Sequence, residues 1–302
     1  MTKRLRSSLI THHSSLVLAL LIVSCGERPA ATTQDDLGRD VALPREVRRV
    51  VTLSPNLTEM VYAVGADDRL VGADDFSNFP GAAAKLPKVG GMQPNLEKIV
   101  SLRPDLVLAS TEGNHPNLAP ALAAAQIPLF VVRTDRLAQI APAMRRVGEL
   151  LRAPRTDDAV RELEAAVDLQ RRTRATKTRV LFAVWTDPLY VAGRETFTDD
   201  LFALTGAENA VPVKGWPQYS LESFIAAPPD VLLYPRGAVT EQQVDALLAK
   251  AGLQTRVIAV NEDIFQRPGP RMALAAGALN AILDLHAPRA SEPRPSAGSA
   301  RP

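Results

Sequence analysis

Two stretches 125 residues apart decide the fold: Asn95-Leu-Glu-Lys-Ile-Val-Ser-Leu-Arg-Pro-Asp-Leu-Val-Leu-Ala-Ser110 and Ser220-Leu-Glu-Ser-Phe-Ile-Ala-Ala-Pro-Pro-Asp-Val-Leu-Leu-Tyr-Pro235. Leu96/Leu221, Glu97/Glu222, Pro104/Pro229, Asp105/Asp230 and Leu108/Leu233 are identical, and most other pairs are both apolar. Asn95 and Ser220 suit a helix N-cap, whose side chain accepts a bond from an orphan helix N–H. Each Glu then falls in the first turn, where the helix dipole favours negative charge. A Pro ends each helix, and an apolar run follows as a buried strand.

The flanking segments correspond as well. Val50 to Leu53 and Val180 to Val184 read as buried strands that open each half. Glu59 to Leu70 and Asp200 to Val211 each give a short helix, a Gly-Ala stop and a short apolar segment. Pro116 to Gln126 and Thr240 to Gly252 read as helices, with strands after them at Ile127 to Val132 and Arg256 to Val260. Alternating strands and helices with near-continuous apolar strands predict two α/β lobes, each a parallel sheet covered by helices. A length of 302 residues agrees with two domains of roughly 150. The expected lobes are 45–153 and 178–287. Leu137 to Leu151 is a helix, and Thr156 to Thr176, free of Gly and Pro, reads as one long helix within a connector at 154–177. Val160, Leu163 and Val167 give that helix a narrow apolar stripe, as expected of a bridge between lobes.

At the N-terminus Lys3, Arg4 and Arg6 precede an eight-residue apolar run, Leu16 to Val23, far short of the ~20 needed to span a bilayer. This is a secretory signal pattern over residues 1–24. The chain's only cysteine, Cys25, stands where the run ends, in Ile-Val-Ser-Cys-Gly. Small or aliphatic residues leading into Cys resemble a lipobox. That implies cleavage before Cys25 and lipidation of its thiol; an ordinary signal with an incidental Cys is the alternative. Residues 25–44 read as a tether, and the Pro/Ser/Ala/Arg-rich 288–302 as a disordered tail.

Composition excludes several classes. With 35 Lys+Arg against 33 Asp+Glu the chain has no basic footprint for nucleic acid. One cysteine excludes an internal disulfide and any zinc or iron–sulfur site built on cysteines. There is no G-x-S-x-G, H-E-x-x-H, P-loop or G-x-G-x-x-G. His115 has no ligating neighbours in sequence and reads as a loop residue. Asp67-Asp68 and Asp74-Asp75 fit turn chemistry beside Gly65 and Gly72 better than a metal site. An enzyme would need a dyad assembled from distant residues, so a binding protein is expected.

Arg49-Val-Val-Thr-Leu-Ser-Pro-Asn-Leu-Thr-Glu59, Asn95-Leu-Glu-Lys-Ile99, Trp216-Pro-Gln218 and Phe265-Gln-Arg-Pro-Gly-Pro-Arg271 resemble the helical-backbone substrate-binding proteins of ABC importers over roughly Arg45 to His286. The resemblance is strongest to the branch that carries corrinoids. It implies two Rossmann-like lobes joined by a rigid helix, and a ligand cleft between them. It implies cobalamin or another corrinoid as cargo, or a ferric siderophore or haem, with no catalytic cofactor and no resident metal. A monomer held to a membrane by its N-terminal lipid would deliver this cargo to an ABC permease.

Several side chains are candidates for the cleft. Trp216, flanked by Gly215 and Pro217, matches a Trp that faces the corrin ring. Trp185 follows a strand at its carboxyl end, where it is either cleft-facing or a core cap. Phe76 and Met92 lie at or near family aromatics, and the polar loop Ser110 to Asn114 replaces a family Trp. Asp263, Phe265 and Arg267 match positions that bond corrin amides; a plain exposed ion pair of Asp263 with Arg267 is the alternative. Tyr190 or Tyr219 would be the available haem or ferric ligand, though core or rim roles suit them better. Glu97 and Glu222 match glutamates that dock onto arginines of a two-fold symmetric permease; the alternative is a helix-dipole role alone.

Overall fold

The repeat in the sequence is a repeat in space. The computed structural model describes residues 31–111, 113 and 117–286. The expected signal, Cys25, His115 and the tail 288–302 lie outside the described residues. The N-terminal lobe runs β1 (Ala31–Gln34), β2 (Asp40–Leu43), β3 (Val50–Thr52), α1 (Pro55–Ala63), β4 (Leu70–Ala73), α2 (Leu96–Ser101), β5 (Leu106–Ser110), α3 (Leu118–Ala124), β6 (Leu129–Val132) and α4 (Leu137–Leu150). A connecting helix, α5 (Thr156–Asp168), follows. The C-terminal lobe runs β7 (Arg179–Thr186), β8 (Leu189–Val191), α6 (Phe197–Leu204), β9 (Glu208–Asn209), α7 (Leu221–Ala226), β10 (Val231–Arg236), α8 (Glu241–Ala251), β11 (Arg256–Asn261), α9 (Glu262–Phe265) and α10 (Met272–His286).

The first lobe has the all-parallel order β4-β3-β5-β6. The second repeats it as β9-β7-β10-β11, also parallel. It adds β8, which pairs antiparallel with the second half of β7. Every residue of β5 and five of six in β10 are buried, as strands covered on both faces require. Each sheet therefore has an apolar cluster on either side.

The paired aspartates of the repeat have a structural cause. Asp105 Oδ2 accepts the backbone N–H of Arg48 and of Arg49, both at 2.9 Å. Asp230 Oδ2 accepts that of Arg179 at 2.7 Å. The same arginines reach back to the carbonyls that end the preceding helices, Arg49 to Leu102 and Arg179 to Pro228. The start of β3 is thus tied to that of β5, and the start of β7 to that of β10.

Two expectations are corrected. Residues 31–43, assigned to the tether, form the hairpin β1–β2, which docks on the N-terminal lobe through buried Val41 and Leu43. Its turn is organised by buried Asp35, which accepts the N–H groups of Leu37 and Arg39 and pairs with the Arg39 guanidinium. The expected helix Thr156 to Thr176 stops at Asp168, although no Gly or Pro ends it. Its apolar stripe runs out there, and Arg171, Arg172, Arg174 and Lys177 leave nothing to bury. Bonds across the fold replace helical ones: Arg172 N–H to the Leu204 carbonyl, Arg174 Nε to that of Thr205, and Asn280 Nδ2 to that of Gln170. Val167 of α5 packs against the cores of both lobes.

Candidate functional site

The loop after β4 and the segment after β11 leave the carboxyl ends of parallel strands, where ligand clefts of α/β lobes form, and meet between the lobes through Asn78, Asp263 and Arg267. Phe76, in the loop after β4, is 54% exposed. Its ring lies on Gly91, where a Cβ would come within 2.7 Å of the Phe76 Cε2. Gly91 is thus the platform for the ring. Met92 follows it, 81% exposed. In the C-terminal lobe Trp216 is 41% exposed and packs its ring 5.8 Å from that of buried Phe197. Trp185, at the end of β7, is 43% exposed and donates its indole N–H to the Asp187 carbonyl at 3.0 Å. β8 sets Tyr190 directly opposite Trp185, so two half-exposed rings share one face.

Phe265 is corrected. It is 1% exposed and stacks on Phe182 inside the C-terminal core, at 6.3 Å between ring centroids. Asn261 caps the short helix α9, and that single turn carries Phe265 inward while Asp263 stays at the rim. Asp263 and Arg267 do pair, at 2.5 Å. Arg267 is no exposed loop cation: Asn78 and the Phe76 carbonyl of the other lobe accept from it at 2.7 and 3.2 Å. Asn78, Arg236, Asn261, Glu262 and Asp263 line a cavity of 490 Å³ at this end of the cleft.

Glu97 and Glu222 occupy the first turns of α2 and α7, exposed and without an ion pair among the described residues. The caps are as expected: Asn95 accepts from Lys98 N–H at 3.0 Å and Ser220 from Ser223 N–H at 3.1 Å. Each helix leads back to the start of a parallel strand, so both glutamates lie on the carboxyl-end side of their sheets, one per lobe.

A family model described as periplasmic binding protein matches residues 50–263. The chain belongs to this periplasmic binding protein family. Among curated relatives, a vitamin B12-binding protein of Pectobacterium atrosepticum is 33% identical over 243 residues, 76% of this chain and 86% of that one. A vitamin B12-binding protein of Yersinia pestis is 34% identical over 248 residues, 78% and 86% of the two chains. Among solved structures, the periplasmic heme-binding protein RhuT from Roseiflexus sp. RS-1, in apo form, superimposes with a TM-score of 0.71 at 29% identity, over 78% of this chain and 97% of that one. The periplasmic vitamin B12-binding protein of Vibrio cholerae shares the fold, with a TM-score of 0.68 at 23% identity over 80% and 99%.

In this binding-protein frame the root of the cleft is a charged network that the sequence did not reveal. Glu59, on the inner face of α1, is buried, and Arg271 of the other lobe grips it with Nε to Oε2 at 2.8 Å and Nη2 to Oε1 at 2.5 Å. Arg267 stands 3.6 Å from the same carboxylate. Burial pushes the Glu59 carboxyl above its ordinary range, and the two arginines oppose that rise. The one available signal was a Glu on a helix otherwise buried from Asn56 to Val61.

A second network holds the Phe76 loop. Burial likewise raises the Asp74 carboxyl, against hydrogen bonds from Ser77 and from the Phe76 N–H. Lys88 donates to the carbonyls of Ser77, Asp74 and Ala83, and its partial burial lowers its pKa. Tyr219 is buried in the C-terminal core, which raises its phenol pKa, whereas Tyr190 is at the rim. Among the described residues no group of three His, Cys, Asp or Glu side chains gathers as a metal site.

Proposed function

We propose that this binding protein captures cobalamin or another corrinoid between its lobes and passes it, unchanged, to an ABC permease. The vitamin B12-binding relatives, each matching over three quarters of the chain, support this cargo. So does the chemistry of the cleft. Phe76, Trp185 and Trp216 offer flat apolar faces to a macrocycle, with Met92 at the edge and Asp263 facing its amide rim. Phe265 is excluded by its burial. The observation that carries the choice is charge balance. Arg267 and Arg271 are already matched by Glu59 and Asp263, and Arg236 shares its cavity with Glu262 and Asp263. A corrinoid brings neutral amides that such a floor accepts, whereas haem brings two carboxylates that need unspent cations.

Haem is the second reading, favoured by the 29% identical heme-binding neighbour and by the exposed Tyr190 phenol. Titration with cyanocobalamin, haemin and a ferric siderophore, followed by calorimetry and Trp fluorescence, decides between them. We expect heat and quenching with cyanocobalamin. A silent cyanocobalamin titration beside a saturable haemin or siderophore response would reject the corrinoid assignment.

The protein acts outside the cytoplasm in this reading, anchored through lipid at Cys25. Detergent-phase partitioning of the natural chain, lost in Cys25→Ser, is the expected result; equal partitioning of the two forms would remove the anchor.

A further inference from the structure

The segment Asp263 to Arg271 belongs to the C-terminal lobe, yet its polar groups are committed to the N-terminal one. Asn56 Nδ2 donates to the Pro268 carbonyl at 3.1 Å. Gly269 lies so close that a Cβ there would come within 3.2 Å of the Asn56 Cβ. Asn78 Nδ2 donates to Asp263 at 3.2 Å, and the Arg271 guanidinium lies 4.1 Å over the Phe79 ring. Arg267 faces four acceptors at once: Asn78, the Phe76 carbonyl, Asp263 and Glu59. Turning it toward a ligand would strip a partner from a buried carboxylate, which is costly in a low-dielectric site.

We propose that Glu59 is a positioning residue for ligand capture, and that Arg267 serves with Arg271 as its clamp rather than as a ligand contact. The clamp has three consequences. It adds a joint between the lobes, distant in sequence from α5 and from the pair that Arg136 makes with Asp200 of α6. Placed at the root of the cleft, it limits how far the lobes separate there, which α5 alone would not. The clamp also holds the Phe76 carbonyl, so the aromatic wall of one lobe is placed by the arginine of the other. The inference rests on the proposed cargo only for the choice of probe.

The test reads lobe separation without ligand. In a Cys25→Ser background, Glu97→Cys and Glu222→Cys carry spin labels at two exposed sites, one per lobe, and pulsed dipolar spectroscopy gives their distance distribution. We expect Glu59→Gln, Arg267→Gln and Arg271→Gln each to broaden it toward longer distances. Glu59→Asp, which keeps the charge, should restore most of the narrow distribution. For cyanocobalamin, measured without the labels, Glu59→Gln and Arg267→Gln should each weaken affinity roughly three- to tenfold, and the double variant no more than the worse single one, because both break one device. An unchanged distance distribution in Arg267→Gln, with its affinity loss undiminished in the Glu59→Gln background, would make Arg267 a direct contact and overturn the clamp. If cyanocobalamin fails to bind the natural protein, the proposed cargo falls while the distance measurement still decides the clamp.

Discussion

In the N-terminal lobe the chain turns away beyond α3 at Gln126, φ 59°, and in the C-terminal lobe it turns away after α8 at Gly252, φ 63°. The left-handed turn is the same, 126 positions on, although a side chain there is strained by about 1–2 kcal/mol. The geometry of the repeat has therefore outlasted the residues suited to it. At the carboxyl ends of their strands the lobes differ outright. The first offers Phe76 on a glycine platform; the second adds the β7–β8 hairpin, with Trp185 and Tyr190, and the Trp216 loop. The scaffold is duplicated and the loops that carry these exposed rings are not.

That contrast can be broken at its core. Phe265→Ala should cost about 3–5 kcal/mol of stability by denaturant unfolding, as for a large aromatic removed from a packed interior. A loss below about 1 kcal/mol coupled to lost ligand binding would return Phe265 to the cleft and undo the division between scaffold and loops. Trp216→Ala should leave stability nearly intact and weaken cargo binding by about 1.5–3 kcal/mol if the ring is covered on binding. Phe76→Ala sharpens the comparison: a smaller loss than at Trp216 would assign most of the grip to the C-terminal lobe.

The symmetric features should respond alike, with one graded difference. Asp105→Ala and Asp230→Ala each remove the acceptor of backbone N–H groups, at about 1 kcal/mol per bond. Asp105 serves two such groups and Asp230 one, so Asp105→Ala should be the worse in thermal melts; the reverse order would deny that the two ties are equivalent. The smallest effect on stability is expected at Glu97→Ala and Glu222→Ala, about 0.3–1 kcal/mol each from the helix dipole. These two should keep ligand affinity yet lose stimulation of permease ATPase, with the double variant worst. Normal uptake by the double variant would leave the glutamates as helix-dipole residues only.

The doubled scaffold was legible in the sequence because buried parallel strands are written as short apolar runs, and the same run follows the same cap twice. The hairpin β1–β2 was not legible, since β2 offers only two inward residues, Val41 and Leu43, in a polar stretch. The end of α5 was hidden because no breaker marks it: tertiary bonds from Arg172 and Arg174 stop it. Among candidate site residues, Trp216, Trp185 and Phe76 stood out as large apolar groups in or beside loops, and all three are exposed. Phe265 misled because a loop position was inferred where one helical turn reverses the side chain. The grip of Arg271 on Glu59 joins residues 212 apart, and no local pattern reports such a contact.

The N-terminal hairpin also bears on solubility. Strand β6 is the last in its sheet, and an outer strand offers open backbone groups to any passing chain. Here the hairpin turn occupies that edge: Asp36 N–H bonds the Val131 carbonyl, the Asp35 carboxylate takes the Val131 N–H, and Asp36 Oδ2 takes that of Arg133. Two carboxylates thus plug the edge with the wrong chemistry for β-sheet growth. A recombinant chain trimmed to begin at Arg45, as a tether reading would suggest, would uncover it together with the apolar seat of Val41 and Leu43. Its expected defect is self-association in concentrated solution, arising before any loss of ligand recognition.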